Sequence, residues 1–373
     1  MYFEGIFLTI VCACSLIGNI SLWIIICKSR ELRTVTNSFI LGLTTADLLV
    51  AAINMPVTIF TIFDGEWGLS AKACLIFGYS NMLSLVLSVM SLCNISINRY
   101  IMICRPFHFK TVYTTRNAIL MIFCCVFVSV CLSSPPLFGW AEYAYIKEQS
   151  FCFCNWSNGP SYAFFMIGCC FGIPFAVMTV CNALIFKTVR ASKRRVAAMN
   201  KSVKSNSTAV QPSSILQVEQ STVTASSTIN EQTALHQYKQ KQKTRIGIES
   251  LSTIEDVKVE VTGIYSNENI LKVTKPKFQR RSTKAFKDKA QSVEVRLALA
   301  LAIVVILFVV SWLPFCISML IGIFSPGSVS DSFHMWTLLI GYSNSCMNPV
   351  IYGALNKQFG DGFKDIFCFL CRR

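Results

Sequence analysis

A carboxylate inside an apolar run is the first residue in this chain whose type and position could do chemistry. Asp47 stands within Leu43-Thr44-Thr45-Ala46-Asp47-Leu48-Leu49, in the middle of a long hydrophobic stretch. A charge placed there is costly unless it is paired, hydrated or bound to a cation. Asn19, Ser88, Asn344, Ser345 and Asn348 are polar residues at comparable positions in other hydrophobic stretches. Two readings follow: a cation site with Asp47 as its charged ligand, or a protonated Asp47 satisfied by the same groups. Arg99 closes another stretch, where an arginine either snorkels to a membrane surface or works as a switch. Trp312 lies two residues before Pro314. A helical proline removes a backbone hydrogen bond and creates a hinge, and the indole beside it can sense what fills a cavity above. Three histidines, His108, His236 and His334, show no helical spacing with an acid in a hydrophobic stretch. That speaks against a zinc-dependent membrane hydrolase.

The elements that must position these residues are membrane helices. Hydrophobic residues make up 53% of the 373 positions and charged residues 14%, against about 25% charged in ordinary soluble proteins. Crossing a bilayer as helix takes about 20 mainly apolar residues, because no water satisfies the backbone there. Seven stretches qualify: 6–27, 38–63, 73–97, 117–140, 161–186, 297–324 and 332–355. Asp47 is the only Asp, Glu, Lys or Arg inside them. The expected fold is therefore all-α, a seven-transmembrane helix bundle. The net charge of +15 comes from 34 Lys and Arg against 19 Asp and Glu. It gathers at the joints on one side and in one long loop rather than over a folded face, so a nucleic-acid partner is not expected. Lys28, Arg30, Arg33, Arg105, Lys110, Arg116, Lys187, Arg190, Lys357 and Lys364 share one side, which the positive-inside rule makes cytoplasmic. The N-terminus is then outside, and the first span is expected to act as its own insertion signal.

Four parts are expected: 1–190 with the first five helices, 191–292 as a long disordered cytoplasmic third loop, 293–355 with the last two helices, and 356–373 as an amphipathic surface helix and tail. The loop is rich in Ser, Thr, Lys and Gln and poor in aromatics, too polar to bury a core. Its two ends, 190–196 and 284–296, are expected to extend the fifth and sixth helices. Phe359, Phe363, Ile366 and Phe367 form the apolar face of the tail helix, with Lys357 and Lys364 toward the headgroups. Cys368 and Cys371 are palmitoylation candidates there. Most of the 18 cysteines sit in hydrophobic stretches as small packing residues. Cys74, Cys152 and Cys154 lie on the outer side, where oxidation is allowed. A bridge from Cys74 to Cys152 or Cys154 would hold a lid over an outward-facing pocket. Asn155-Trp156-Ser157 matches a glycosylation acceptor. The absence of repeats and of paired intramembrane charges weighs against a seven-helix transporter.

With these positions in place, the chain resembles the rhodopsin-like G-protein-coupled receptors. The likeness rests on Gly18-Asn19, Asp47 in its leucine-rich segment, Trp67 ahead of Cys74, and Asn98-Arg99-Tyr100. It continues through Pro174, Phe308, Ser311-Trp312-Leu313-Pro314 and Asn348-Pro349-Val350-Ile351-Tyr352. It covers every span and fails only over the long loop. The resemblance implies a plasma-membrane receptor, not an enzyme, which binds an extracellular ligand and activates heterotrimeric G proteins, with arrestin, receptor kinases and membrane lipids as further partners. It implies a sodium pocket of Asp47, Ser88, Asn344, Ser345 and Asn348, and a switch in which Arg99 pairs with Glu294 in the resting state. Phe308, Trp312, Pro314 and Tyr352 connect pocket to switch. Asn98 stands where the family carries an acid, which removes one restraint on Arg99 and implies appreciable basal signalling. Asn182 replaces a tyrosine expected after Pro174.

The resemblance also bears on the ligand. Opsins need a seventh-span lysine for retinal, and Tyr342 stands at that position, so no retinal and no other cofactor beyond sodium is expected. Amine receptors carry a third-span Asp, where this chain has the neutral Asn81. The closest local resemblance is to melatonin receptors, in Ile97 through Cys104 and in Asn344-Ser345-Cys346 and Ile351-Tyr352-Gly353. It lies in scaffold regions rather than the ligand site. The implied pocket combines Asn81, Met82, Leu85, Met166, Cys170, Phe315, Cys316, Met319, Leu338 and Tyr342, a sulfur-rich, uncharged set that suits a small, mostly neutral ligand. A peptide ligand and a receptor without coupling are the alternatives.

Overall fold

The computed structural model describes residues 2–208 and 280–371. Most of the expected third loop, 209–279, lies outside the described residues. The bundle of residues 1–201 and 280–373 contains the seven expected helices. They are α1 (Tyr2–Lys28), α2 (Val35–Asp64), α3 (Ala71–Cys104) and α4 (Thr115–Ser133). After these come α5, which starts at Pro160 and ends as Ile173–Thr208, α6 (Arg280–Phe324) and α7 (Asp331–Leu355). A short helix, Pro106–Val112, links α3 to α4, and α8 (Lys357–Cys371) follows α7.

Among the described residues, six helices are long and apolar enough to cross a bilayer by composition alone. The seventh, α7, is helical over 25 residues, but Asn344, Ser345 and Asn348 on its buried side lower its hydropathy. Polar groups of this kind face the bundle interior. The outward face of α4 is the converse: Ile119, Phe123 and Phe127 are all more than half exposed, as lipid contact requires.

Local sequence explains where helices start, bend and stop. Thr34, Ser70, Thr114 and Ser330 each cap a helix by accepting from the backbone N–H three residues on, worth about 1 kcal/mol apiece. Two π segments, Val50–Asn54 in α2 and Ile167–Gly172 in α5, end two residues before Pro56 and Pro174. A proline withdraws the bond to the carbonyl four residues back, and the wider turn absorbs the clash. In α2 the Cys12 thiol donates to Ala51 O at 3.2 Å within that turn. The fourth helix ends at Ser133, seven residues short of the expected 140, because Pro135 and Pro136 turn the chain into a 3-10 segment, Pro135–Phe138. The cytoplasmic helices run longer than expected, α5 to Thr208 and α6 from Arg280. Ala197, Ala198, Lys201 and Lys204 in the first extension and Arg280 and Arg281 in the second are good helix formers, but Ser, Asn and Thr are as frequent there, so propensity alone does not explain the added length.

Over the outer end lies an antiparallel hairpin, β1 (Tyr143–Ile146) and β2 (Phe151–Cys154), with Tyr143 opposite Cys154 and Tyr145 opposite Cys152. Ser150, at φ 49, turns the chain between the strands. Cys74 at the start of α3 is bonded to Cys152, and the Tyr143 hydroxyl donates to Ser133 O at 2.6 Å. The hairpin approaches α3 closely at Gly78. A Cβ there would lie 2.9 Å from the Tyr143 ring.

Candidate functional site

Three clusters line the axis of the bundle. The central one gathers around Asp47, which is 1% exposed. Asn348 Nδ2 donates to Asp47 Oδ2 at 2.7 Å, with Ser345 beside the carboxylate. Asn19 Nδ2 donates to Ser345 O at 2.9 Å, tying α1 to α7. Ser88 is buried on α3. Asn19 Oδ1, Asn344 Oδ1 and Asn348 Oδ1 are buried with no hydrogen-bond partner. Amide oxygens are acceptors only, so this set of one carboxylate and spare acceptors fits a hard monovalent cation.

The inner cluster lies at the cytoplasmic end. Asn98 and Arg99 are buried and Tyr100 is half-buried. Arg99 Nη1 lies 3.8 Å from Met102 Sδ, and its charge reaches Tyr352. Tyr352 is fully buried and packs on Phe359 of α8 at 6.1 Å. Tyr113, on the connection to α4, lies against Asn98, and burial pushes its hydroxyl pKa up to about 12. Glu294 lies on α6, but its side chain is outside the described ones. Cys368 is exposed on α8, and the side chain of Cys371 is likewise outside the described ones.

The outer cluster is where the ligand-pocket residues meet. Asn81, Met82, Leu85, Met166, Cys170, Phe315, Leu338 and Tyr342 are buried, and Cys316 and Met319 half-buried. Their polar groups bond to one another: Tyr342 Oη donates to Asn81 Oδ1 at 2.9 Å, and Asn81 Nδ2 to Cys152 O at 3.2 Å. The space that Asn81, Leu85, Phe315, Leu338 and Tyr342 share is only about 20 Å³, and Phe151 and Phe153 of β2 form part of its wall. That is room for about one water. A larger cavity of about 470 Å³ opens above, between the hairpin and the outer ends of α6 and α7. Glu148, Trp156, Phe315, Ser318, Met319, Asp331 and His334 line it. Ser318 Oγ and His334 Nδ1 are 2.5 Å apart, and Gln149 Nε2 donates to His334 O at 3.0 Å.

Sequence reasoning missed Phe151, Phe153, Gln149 and His334. The alternation Phe151-Cys152-Phe153-Cys154 was the available signal, since period-two patterning marks a strand. Its burial on both faces was not readable. Cys154, two residues past the disulfide, is a buried free thiol whose pKa burial raises well above the usual thiol range, with Glu142 adding to the effect.

Beneath the pocket the aromatic residues of α6 touch in series, tilted and edge-on. Phe308 lies 6.2 Å from Trp312, which lies 5.6 Å from Phe315. Gly341 of α7 makes room for the indole, since a Cβ would meet Trp312 at 3.0 Å. Residues 18–352 match the model of the 7 transmembrane receptor (rhodopsin family). The chain belongs to that family. This receptor is similar, at 27% identity over 370 residues, to the alpha-1A adrenergic receptor of Cavia porcellus, covering 99% of this chain and 68% of that one. The alpha-1A adrenergic receptor of Oryzias latipes is 30% identical over 371 residues, covering 99% and 67%. The alpha-1D adrenergic receptor of Homo sapiens is 26% identical over 370 residues, covering 99% and 57%. The receptor thus spans about two-thirds or less of the length of these relatives. Among solved structures, the fold is similar to that of squid rhodopsin, with a TM-score of 0.70 at 21% identity over 99% of this chain and 85% of that one. It is a multi-pass membrane receptor, not an enzyme.

Proposed function

We propose that the receptor sits in the plasma membrane with its N-terminus outside, takes a small molecule at its outer face and activates heterotrimeric G proteins at its inner face. The observation that carries this reading is the burial of Arg99 within reach of Tyr352, below the hinge at Pro314 and the adjoining rings of Trp312 and Phe308. A buried charge between helices, beneath a proline hinge, is a two-state element of the kind a switch needs. A ligand that contacts one arrangement better shifts the balance toward it. Glu294 is the proposed resting partner of Arg99. Residues 191–292 form the proposed third cytoplasmic loop, which with the inner helix ends meets the G protein, receptor kinases and arrestin. Cys368 and Cys371 are the proposed lipid anchors of α8.

The ligand enters through the 470 Å³ cavity, whose size falls within the usual range for small-molecule sites. The adrenergic relatives are named for an amine. Asn81 offers such a ligand no carboxylate, and its amide is already engaged by Tyr342 and Cys152. The ligand is accordingly held by apolar contacts and hydrogen bonds rather than by an ion pair to α3. Sodium occupies the Asp47 cluster, with the spare oxygens of Asn19, Asn344 and Asn348 as its neutral ligands. Its charge offsets that of Asp47 and favours the resting arrangement. The test is G-protein activation in cells across the main Gα classes, wild type beside Arg99→Ala at matched surface expression. A signal present in wild type and lost in the variant is expected; identical signals would refute coupling.

A further inference from the structure

The hairpin places two aromatic rings where a receptor ligand would sit. All four residues of β2 are buried, and Phe151 and Phe153 stack on each other at 5.2 Å. Both line the 20 Å³ remnant of the inner pocket. Phe153 meets Phe315 edge-on at 5.8 Å. The series then runs from Phe315 to Trp312 at 5.6 Å, from Trp312 to Phe308 at 6.2 Å, and from Phe308 to Phe175 of α5 at 6.0 Å. An unbroken aromatic column therefore descends from the extracellular hairpin, past the Pro314 hinge, to the interface of α5 and α6.

The rings are also held in place. The disulfide to Cys74 fixes β2 covalently. Asn81 bonds the carbonyl of Cys152, Tyr143 reaches the end of α4, and Gln149 reaches His334 of α7. A free ligand must give up translational and rotational freedom to bind, whereas a tethered and cross-linked one has already done so. The rings are thus held at the pocket without the ordering cost that a free ligand incurs, and contact with Trp312 through Phe315 is present without any added molecule.

We infer that Phe151 and Phe153 of the hairpin act as a built-in aromatic ligand of the inner pocket and sustain the receptor's basal signalling. This rests on the proposed coupling to G proteins and deepens it. The inner pocket is the receptor's own, and soluble ligands act from the outer cavity, where Phe153 and Phe315 form the shared wall.

The experiment uses the full-length receptor carrying Phe151→Ala with Phe153→Ala, which leaves Cys152 and its disulfide untouched. Basal G-protein activation is measured beside wild type and Arg99→Ala at matched surface expression. In parallel, the thermal midpoint of the solubilised receptor is followed with and without indole. Apolar cavities made by removing a large side chain stay dry and accept benzene-sized molecules. The double variant is expected to lose at least fivefold of the basal signal, to be stabilised by indole where wild type is not, and to regain part of its signal with indole. Phe153→Leu, which keeps apolar bulk, serves if the double variant is poorly expressed, and a partial loss is expected. A double variant that signals like wild type or more strongly, while Arg99→Ala is silent, overturns the built-in ligand and leaves coupling intact. Equal signals from wild type and Arg99→Ala overturn coupling, and sustained signalling with it. Lack of indole stabilisation in the double variant overturns occupancy independently.

Discussion

Replacing Asp47 by Asn keeps the shape of the side chain and removes the only carboxylate of the central cluster. In the structure Asp47 accepts from Asn348 Nδ2 at 2.7 Å, while the buried amide oxygens of Asn19, Asn344 and Asn348 lack donors. Each buried acceptor left unmatched costs about 1–3 kcal/mol, and a bound cation recovers part of that while neutralising the carboxylate. At a sodium concentration tenfold above its dissociation constant, linkage stabilises the folded receptor by about 1.4 kcal/mol. For about 300 folded residues that is a rise of roughly 2 °C in thermal midpoint. The assay compares purified receptor in sodium chloride and in potassium chloride at equal ionic strength. Wild type should gain that shift in sodium, and Asp47→Asn should melt at the same temperature in both salts. In the same variant, basal G-protein activation should lose its dependence on sodium. A sodium shift of equal size in Asp47→Asn, or an equal wild-type midpoint in both salts, would refute a cation held by these residues.

Three further outcomes are expected. Tyr342→Phe removes the donor to Asn81 Oδ1 and leaves that buried oxygen unpaired, which should cost about 1–3 kcal/mol, read as a lower thermal midpoint; the loss should shrink when Asn81 is replaced by Leu in the same chain. Asn98→Asp restores an acid beside Arg99 and should lower basal signalling at matched expression, with the change absent in an Arg99→Ala background. Cys154 should resist alkylation in the folded receptor between pH 7 and 9, because burial raises its thiol pKa and keeps it protonated there. In the unfolded chain the thiol ionises from about pH 8.5, so Cys154 favours folding below that value and this contribution falls as pH rises past it. Mass spectrometry of the 152–154 segment after alkylation under native and denaturing conditions reads this directly.

Much of this architecture was legible because a bilayer leaves so few options. Unbroken apolar runs of about 20 residues satisfy their backbone there as helices, so the seven spans and the inward position of Asp47 followed from composition. The boundaries that failed had local causes. Pro135-Pro136 ended α4 early although the residues beyond it are apolar, and α5 and α6 continued as helix past the ends that polarity suggested, through segments whose Ser, Asn and Thr gave no sign of it. The convergence of Asn81, Leu85, Phe315, Leu338 and Tyr342 was legible by resemblance, but the volume between them was not. It depends on how deeply a loop segment folds inward, and that is set by long-range ties from Cys152, Tyr143 and Gln149 to three different helices. The pairing of Cys74 with Cys152 rather than Cys154 is of the same kind. Two cysteines two residues apart on one strand look alike in sequence, and only the register of the hairpin separates them.

The central claim is that this receptor promotes nucleotide exchange on a G protein through Arg99. The most direct measurement is GTP-analogue uptake by purified Gα in vesicles containing purified receptor, wild type against Arg99→Ala, in potassium chloride so that sodium does not favour the resting state. Uptake by at least one Gα class is expected well above that of receptor-free vesicles, with a return to the receptor-free rate in Arg99→Ala. Uptake that is the same with wild type, with the variant and with empty vesicles, for every Gα class, would contradict it.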